Sequence, residues 1–108
     1  MLRGIAPFLL LIGAATMTTA SDDSVASYAG QGRMATRLFT TDGPWEAQFD
    51  TTDALFIWLM TPDGVEADLV ANQTAGGSGS YYSPRAGTFY LKIDGFGTWK
   101  VRIVRVRR

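Results

Sequence analysis

The 108-residue chain contains no cysteine and no histidine, and its ten Lys and Arg residues are balanced by ten Asp and Glu. Without cysteine there are no disulfide staples, thiolate metal sites or Cys nucleophiles. Without histidine, no mechanism can run through an imidazole. A formal charge of zero excludes non-specific nucleic-acid binding, which rests on a basic excess. No window shows the 3.6-residue apolar period with caps, so helix is not expected. What remains is enough for one domain, and an apolar fraction of 46% is that of a folded globule.

The first twenty residues read as an address. Met1-Leu2-Arg3 supplies one positive charge, Ile5 to Ala15 is an apolar run of eleven, and Thr18-Thr19-Ala20 places small residues before a cut. That order is the signature of a secretory signal peptide, and the run is too short to span a bilayer, which takes ~20 residues. Taking residues 1–20 from 108 leaves 88, with nine bases against ten acids because Arg3 is lost. The sequence therefore predicts an exported protein, periplasmic or extracellular, with no stable membrane span after cleavage. A domain this small can fold on one core. Its lack of disulfides fits a bacterial exported protein at least as well as an animal one.

Residues 21–32 are polar with two glycines and read as a flexible lead-in that donates at most a short strand around Val25 and Tyr28. From Arg33 onward apolar residues alternate and turn signals recur every eight to twelve residues, which predicts strands. The first covers Arg33 to Thr40. Trp45 to Asp50 sends Trp45, Ala47 and Phe49 inward. Leu55 to Met60 (LFIWLM) is apolar throughout, as expected of a central strand buried on both faces. Val65 to Ala71 alternates with Val65, Ala67, Leu69 and Ala71 inward. Residues 74–80 (TAGGSGS) read as a mobile Gly/Ser loop, followed by a short strand at Tyr81-Tyr82. Thr88 to Asp94 sends Phe89, Leu91 and Ile93 inward, Asp94 to Gly97 reads as a hairpin turn, and Trp99 to Val106 is the last strand. Turns at Asp42-Gly43-Pro44 and Pro62-Asp63-Gly64 carry the expected chemistry. The predicted fold is all-β: a small antiparallel β-sandwich, jelly-roll or immunoglobulin-like, of about seven strands in residues 33–108.

Two tryptophans, Trp45 and Trp99, each open an alternating strand and are expected to plug the core. Charge is split along the chain. Asp22 to Asp68 holds nine acids and two bases, whereas Leu69 to Arg108 holds seven bases and one acid. The outward residues Glu46, Gln48 and Asp50 would suit Lys100 and Arg102 if these two strands were neighbours, by ~0.2–1 kcal/mol per pair. The last strand changes phase after Ile103, where a bulge is expected near Val104. The basic tail Arg105, Arg107 and Arg108 either protects an edge strand or contacts an anionic surface.

Catalysis has little to work with. The carboxylates Asp50 and Asp53, and Asp63 and Glu66, lie in oxygen-rich turns that could take calcium but match no EF-hand spacing. No other cofactor is implied. Tyr81, Tyr82, Tyr90 and Phe96 are candidates for stacking on a sugar, Phe96 most of all at its expected hairpin tip. Asn72-Gln73-Thr74 matches a glycosylation acceptor, a short motif that recurs by chance.

The stretch Gly87-Thr88-Phe89-Tyr90-Leu91-Lys92-Ile93, a short Gly turn, then Trp99-Lys100-Val101-Arg102-Ile103 resembles the closing hairpin of bacterial pre-peptidase C-terminal domains. The resemblance implies a jelly-roll-like sandwich and a non-catalytic role beside secreted enzymes, although here the domain directly follows the signal peptide. The sequence predicts an exported non-catalytic binding module for a glycan, envelope component or protein partner. The alternative is a structural envelope or matrix subunit joined through edge strands, and a carboxylate enzyme is disfavoured. Oligomeric state is not legible.

Overall fold

A computed structural model describes residues 23–106. Residues 1–20, read from the sequence as a signal peptide, lie outside the described residues, as do Ser21, Asp22, Arg107 and Arg108. Seven strands follow in order: β1 (Ser24–Ala35), β2 (Phe39–Thr41), β3 (Trp45–Thr51), β4 (Leu55–Met60), β5 (Glu66–Gln73), β6 (Gly77–Ser83) and β7 (Gly87–Arg105). All pairings are antiparallel.

The register shows how seven strands make four long ribbons. β4 pairs with β7 over Tyr90–Gly95, and β3 continues along the same strand over Trp99–Arg105. β1 and β2 run end to end along β7 as well. β5 and β6 do the same along β4 and β3. The ribbons 24–41, 45–60, 66–83 and 87–105 thus form one sheet in the order first, fourth, second, third.

That sheet is folded double. Phe89 and Arg105 are sixteen residues apart on β7, about 50 Å along a straight strand. Yet Trp45, paired with Arg105, has its ring 5.9 Å from that of Phe89. Each ribbon is therefore bent at its middle into two arms that face each other. Counting the eight arms along the chain, one layer pairs in the order 2-7-4-5 and the other in the order 1-8-3-6, which is jelly-roll connectivity.

Alternation explains what fills the space between the layers. Trp45, Ala47 and Phe49, then Leu55, Ile57 and Leu59, then Phe89, Leu91 and Ile93, then Trp99, Val101 and Ile103 form one core. Both tryptophans are buried as expected, Trp45 completely. Trp45 meets Phe39, Phe89 and Tyr81 at one end, and its indole N–H donates to the Arg85 carbonyl at 2.9 Å. Trp99 sits near the bend, its N–H donating to the Gly32 carbonyl at 3.0 Å. The two tryptophan strands are neighbours, the case in which their outward charges suit each other, with Asp50 opposite Lys100 and Gln48 opposite Arg102.

Several expectations are corrected. Asp94–Gly97 is not a hairpin turn, because β7 runs through it unbroken. Gly95 is there because the Trp99 ring lies over it: a Cβ would stand 2.6 Å from Trp99 Cδ1. The segment read as a lead-in forms most of β1, since β7 offers a long edge for it. The strand placed at 33–40 is split between β1 and β2. The Gly/Ser loop is largely β6. Gly79 pairs with Phe49, whose ring would lie 2.6 Å from a Cβ there, so its lack of a side chain serves packing rather than mobility.

In β5 a register skip opposite Ile57 and Trp58 turns Val70 and Ala71 both inward. Leu69 and Val65 are left 43% and 57% exposed. The phase change at Ile103–Val104 is met by a bulge in β1 at Val25, while the β3–β7 register stays continuous. β4 is central, but it is not buried on both faces along its length: Phe56 and Trp58 look outward and are half-buried, and only Met60 of that face is buried.

Replacing Gly95 by valine is expected to destabilise the domain by about 1–3 kcal/mol through overpacking against Trp99. Gly43→Ala, at a turn where nothing lies within 4 Å of the new methyl, should change stability by less than ~0.5 kcal/mol. Urea unfolding of the two variants checks the contrast.

Candidate functional site

Where alternation sends odd-numbered residues of β4 and β7 into the core, their even-numbered neighbours point to the outer face. On β4 these are Phe56 and Trp58, both half-buried, while Met60 at its end is buried; on β7 they are Tyr90, half-buried, with Lys92, Asp94 and Phe96. The ladder sets Phe56 opposite Asp94, Trp58 opposite Lys92 and Met60 opposite Tyr90. Leu69 of β5 is paired with Trp58 on its other side. Beyond β7, β1 places Arg33 opposite Asp94 and Ala35 opposite Lys92. The outer face of this layer is therefore an aromatic strip with charged residues along one side.

Its geometry is specific. The Lys92 ammonium lies 5.3 Å from the centre of the Trp58 ring, within cation–π range. Phe96, 68% exposed, meets Phe56 edge-on at 6.3 Å. Arg33 Nε donates to Asp94 Oδ1 at 3.4 Å. A cavity of about 500 Å³ opens beside Trp58, lined also by Arg33, Met34, Ala35, Lys92 and Asp94. The short side chain of Ala35 leaves that space.

The sequence-predicted residues divide. Tyr90 and Phe96 belong to this face, although Phe96 sits within β7 and not on a hairpin tip. Tyr82 is on the outer face of the other layer, opposite Glu46. Tyr81 is drawn toward the core against Trp45, and its hydroxyl donates to Asp68 Oδ2 at 2.6 Å. The four aromatics do not form one patch.

Phe56 and Trp58 were missed because the run LFIWLM reads as buried on both faces. The usable signal was that its two aromatics both occupy even positions.

The proposed calcium ligands stay apart. Asp50 accepts a hydrogen bond from Ser78, Asp53 from the Ala54 N–H and Asp63 from the Thr61 hydroxyl, while Glu66 opens β5 opposite Met60. Among the described residues no three His, Cys, Asp or Glu form a group able to hold a metal. Arg105 forms an ion pair with Asp42 at 3.5 Å on the surface.

The other layer has a cavity of similar size, about 510 Å³, over Ser27, Ala29, Gln48, Asp50, Lys100 and Arg102. Its polar groups largely satisfy each other. Arg102 donates to Gln48, Gln48 to Glu46, and Ser78 to Asp50. The aromatics in its lining are Tyr28 and Phe49, both packed into or against the core.

Tyr81 and Asp68 form a latch between β6 and β5, and the pair titrates accordingly. Burial first, and then the Asp68 carboxylate, push the Tyr81 hydroxyl from 10.0 up to about 12. The Tyr81 hydroxyl and the Leu69 N–H hold Asp68 below its usual 3.8. Because the folded tyrosine is raised, its contribution to stability is complete below pH 10.0 and is lost as pH rises through about 12. Because the folded aspartate is lowered, its contribution is present above 3.8 and is lost as pH falls through the depressed value. Ultraviolet titration of phenolate is expected to show Tyr81 ionising late, with Tyr28 also raised by burial, and Asp68→Asn should bring Tyr81 alone back toward 10.0.

No protein-family model matches the chain, and no curated protein matches it.

Proposed function

We propose that this protein is an exported, non-catalytic binding module that takes a glycan on the outer face of β4 and β7, with Trp58 as the stacking platform. The observation that carries the reading is the outward set Phe56, Trp58, Tyr90 and Phe96 beside an open cavity. The core is already filled by the inward residues, so packing between the layers does not call for aromatics here. Pyranose rings present flat C–H faces that pair with aromatic planes, and aromatic side chains supply large contact area at low entropic cost. The signal-peptide reading of residues 1–20 places the module outside the cytoplasm. The likeness to pre-peptidase C-terminal domains points to the same non-catalytic class.

A glycan array followed by calorimetry tests this. Trp58→Ala is expected to reduce affinity for any bound glycan by about a hundredfold, the equivalent of ~2.7 kcal/mol. Tyr82→Ala, on the other layer, should leave it unchanged. An array with no binder removes the proposal.

A second reading has its own observation. β6 carries no charged residue, pairs with β3 at seven consecutive positions without a bulge, and has no strand on its other side among the described residues. Such an edge is a template for strand pairing, which suits a structural subunit. Sedimentation would then show assembly that grows with concentration and is abolished by Ser80→Lys; a concentration-independent monomer excludes it.

A further inference from the structure

We infer that the glycan taken by this face is acidic, a polysaccharide of uronic acids, and that Lys92 selects it. This rests on the glycan reading of Trp58.

The argument begins with what already occupies the ring. Lys92 lies directly across the ladder from Trp58, and its ammonium is 5.3 Å from the ring centre. A sugar that stacks on the indole must take that place, so the ammonium has to move. A neutral sugar replaces the cation–π contact with its own stacking and leaves the displaced ammonium with water alone. A uronic acid does both jobs within one residue. Its ring covers the indole, and its carboxylate, on the carbon just outside the ring, projects to the periphery, where the displaced Lys92 can meet it. A charge-assisted hydrogen bond is stronger than an exposed cation–π contact, so the exchange favours the acidic sugar and opposes the neutral one.

The surroundings favour the same charge. Ala35, on the far side of Lys92, leaves the cavity of about 500 Å³ open to a carboxylate. Arg33 stands at its rim with its side chain 85% exposed, engaged by Asp94 through Nε. Asp94 is the one carboxylate in the lining, against two cations. The guanidinium fork is suited to a second carboxylate along the polymer.

The test uses the purified exported protein, titrated calorimetrically with oligogalacturonate and with its methyl-esterified counterpart, which keeps the rings and loses the charge. The acidic form is expected to bind about tenfold more tightly, and the difference should shrink between about 0.1 M and about 1 M salt as the Debye length falls from about 10 Å to about 3 Å. Lys92→Gln should remove most of the preference by weakening the acidic ligand while leaving the ester unchanged or tighter. Arg33→Gln should reduce the preference in part. Equal affinity of the wild type for both ligands, or an equal loss of both in Lys92→Gln, overturns the selection and leaves the glycan face standing. Failure of both ligands, together with unmoved tryptophan fluorescence, overturns the selection, and the array then decides whether the face binds any sugar. Dextran sulfate bound as tightly by Trp58→Ala as by the wild type would show charge attraction alone, and that too overturns it.

Discussion

The fold depends on Trp45 reaching Phe89. One residue is paired to the C-terminal end of β7 and the other lies near its start, so their contact exists only when the ribbon is bent double. The ring sits among Phe39, Phe89 and Tyr81, and a buried tryptophan of this kind typically contributes ~3–5 kcal/mol when compared with alanine. Its N–H would be costly to leave unpaired, and the Arg85 carbonyl takes it. Trp99 repeats the arrangement near the bend, with the Gly32 carbonyl as acceptor.

A sandwich without disulfides must also hold its open sides. Here each side is joined by a tyrosine hydroxyl. Tyr28 of β1 donates to the Arg37 carbonyl at 3.2 Å, and Tyr81 of β6 donates to Asp68 of β5. In each case the donor belongs to one layer and the acceptor to the other. The missing cysteines are thus answered by hydrogen bonds whose donors are half-buried, where water competes less for them.

The candidate site follows from the same register that builds the core. Pairing Leu59 with Leu91 and Ile57 with Ile93 inside the sandwich obliges Trp58 and Lys92 to pair on the outside. A slip of one residue would exchange the two faces. The core sequence and the surface strip are therefore a single choice of register, and the aromatic face needs no separate loop to assemble it. The opposite layer, under the same alternation, presents Glu46, Gln48, Asp50, Lys100 and Arg102, a polar face in which Arg102, Gln48 and Glu46 are joined by hydrogen bonds.

How much of this was legible depended on how local each feature was. The inward faces of β3 and of both arms of β7 were readable because period-two alternation is a property of neighbouring residues. So were the two tryptophan plugs, whereas the opposed charges on their strands suggested the pairing without fixing it. Gly95 and Gly79 misled for one reason: glycine marks a turn when read locally, yet here each makes room for an aromatic ring that arrives from elsewhere, Trp99 in one case and Phe49 in the other. Phe56 and Trp58 were hidden because an apolar run does not say which of its faces another layer will cover. By itself the sequence determined an all-β chain, the core-facing residues of β3 and β7 and the absence of thiol and imidazole chemistry. Only the tertiary structure decided that the ribbons bend, that β7 continues through its glycines, and that Trp58, Lys92 and Arg33 share one face, because those outcomes depend on contacts between residues far apart in the chain.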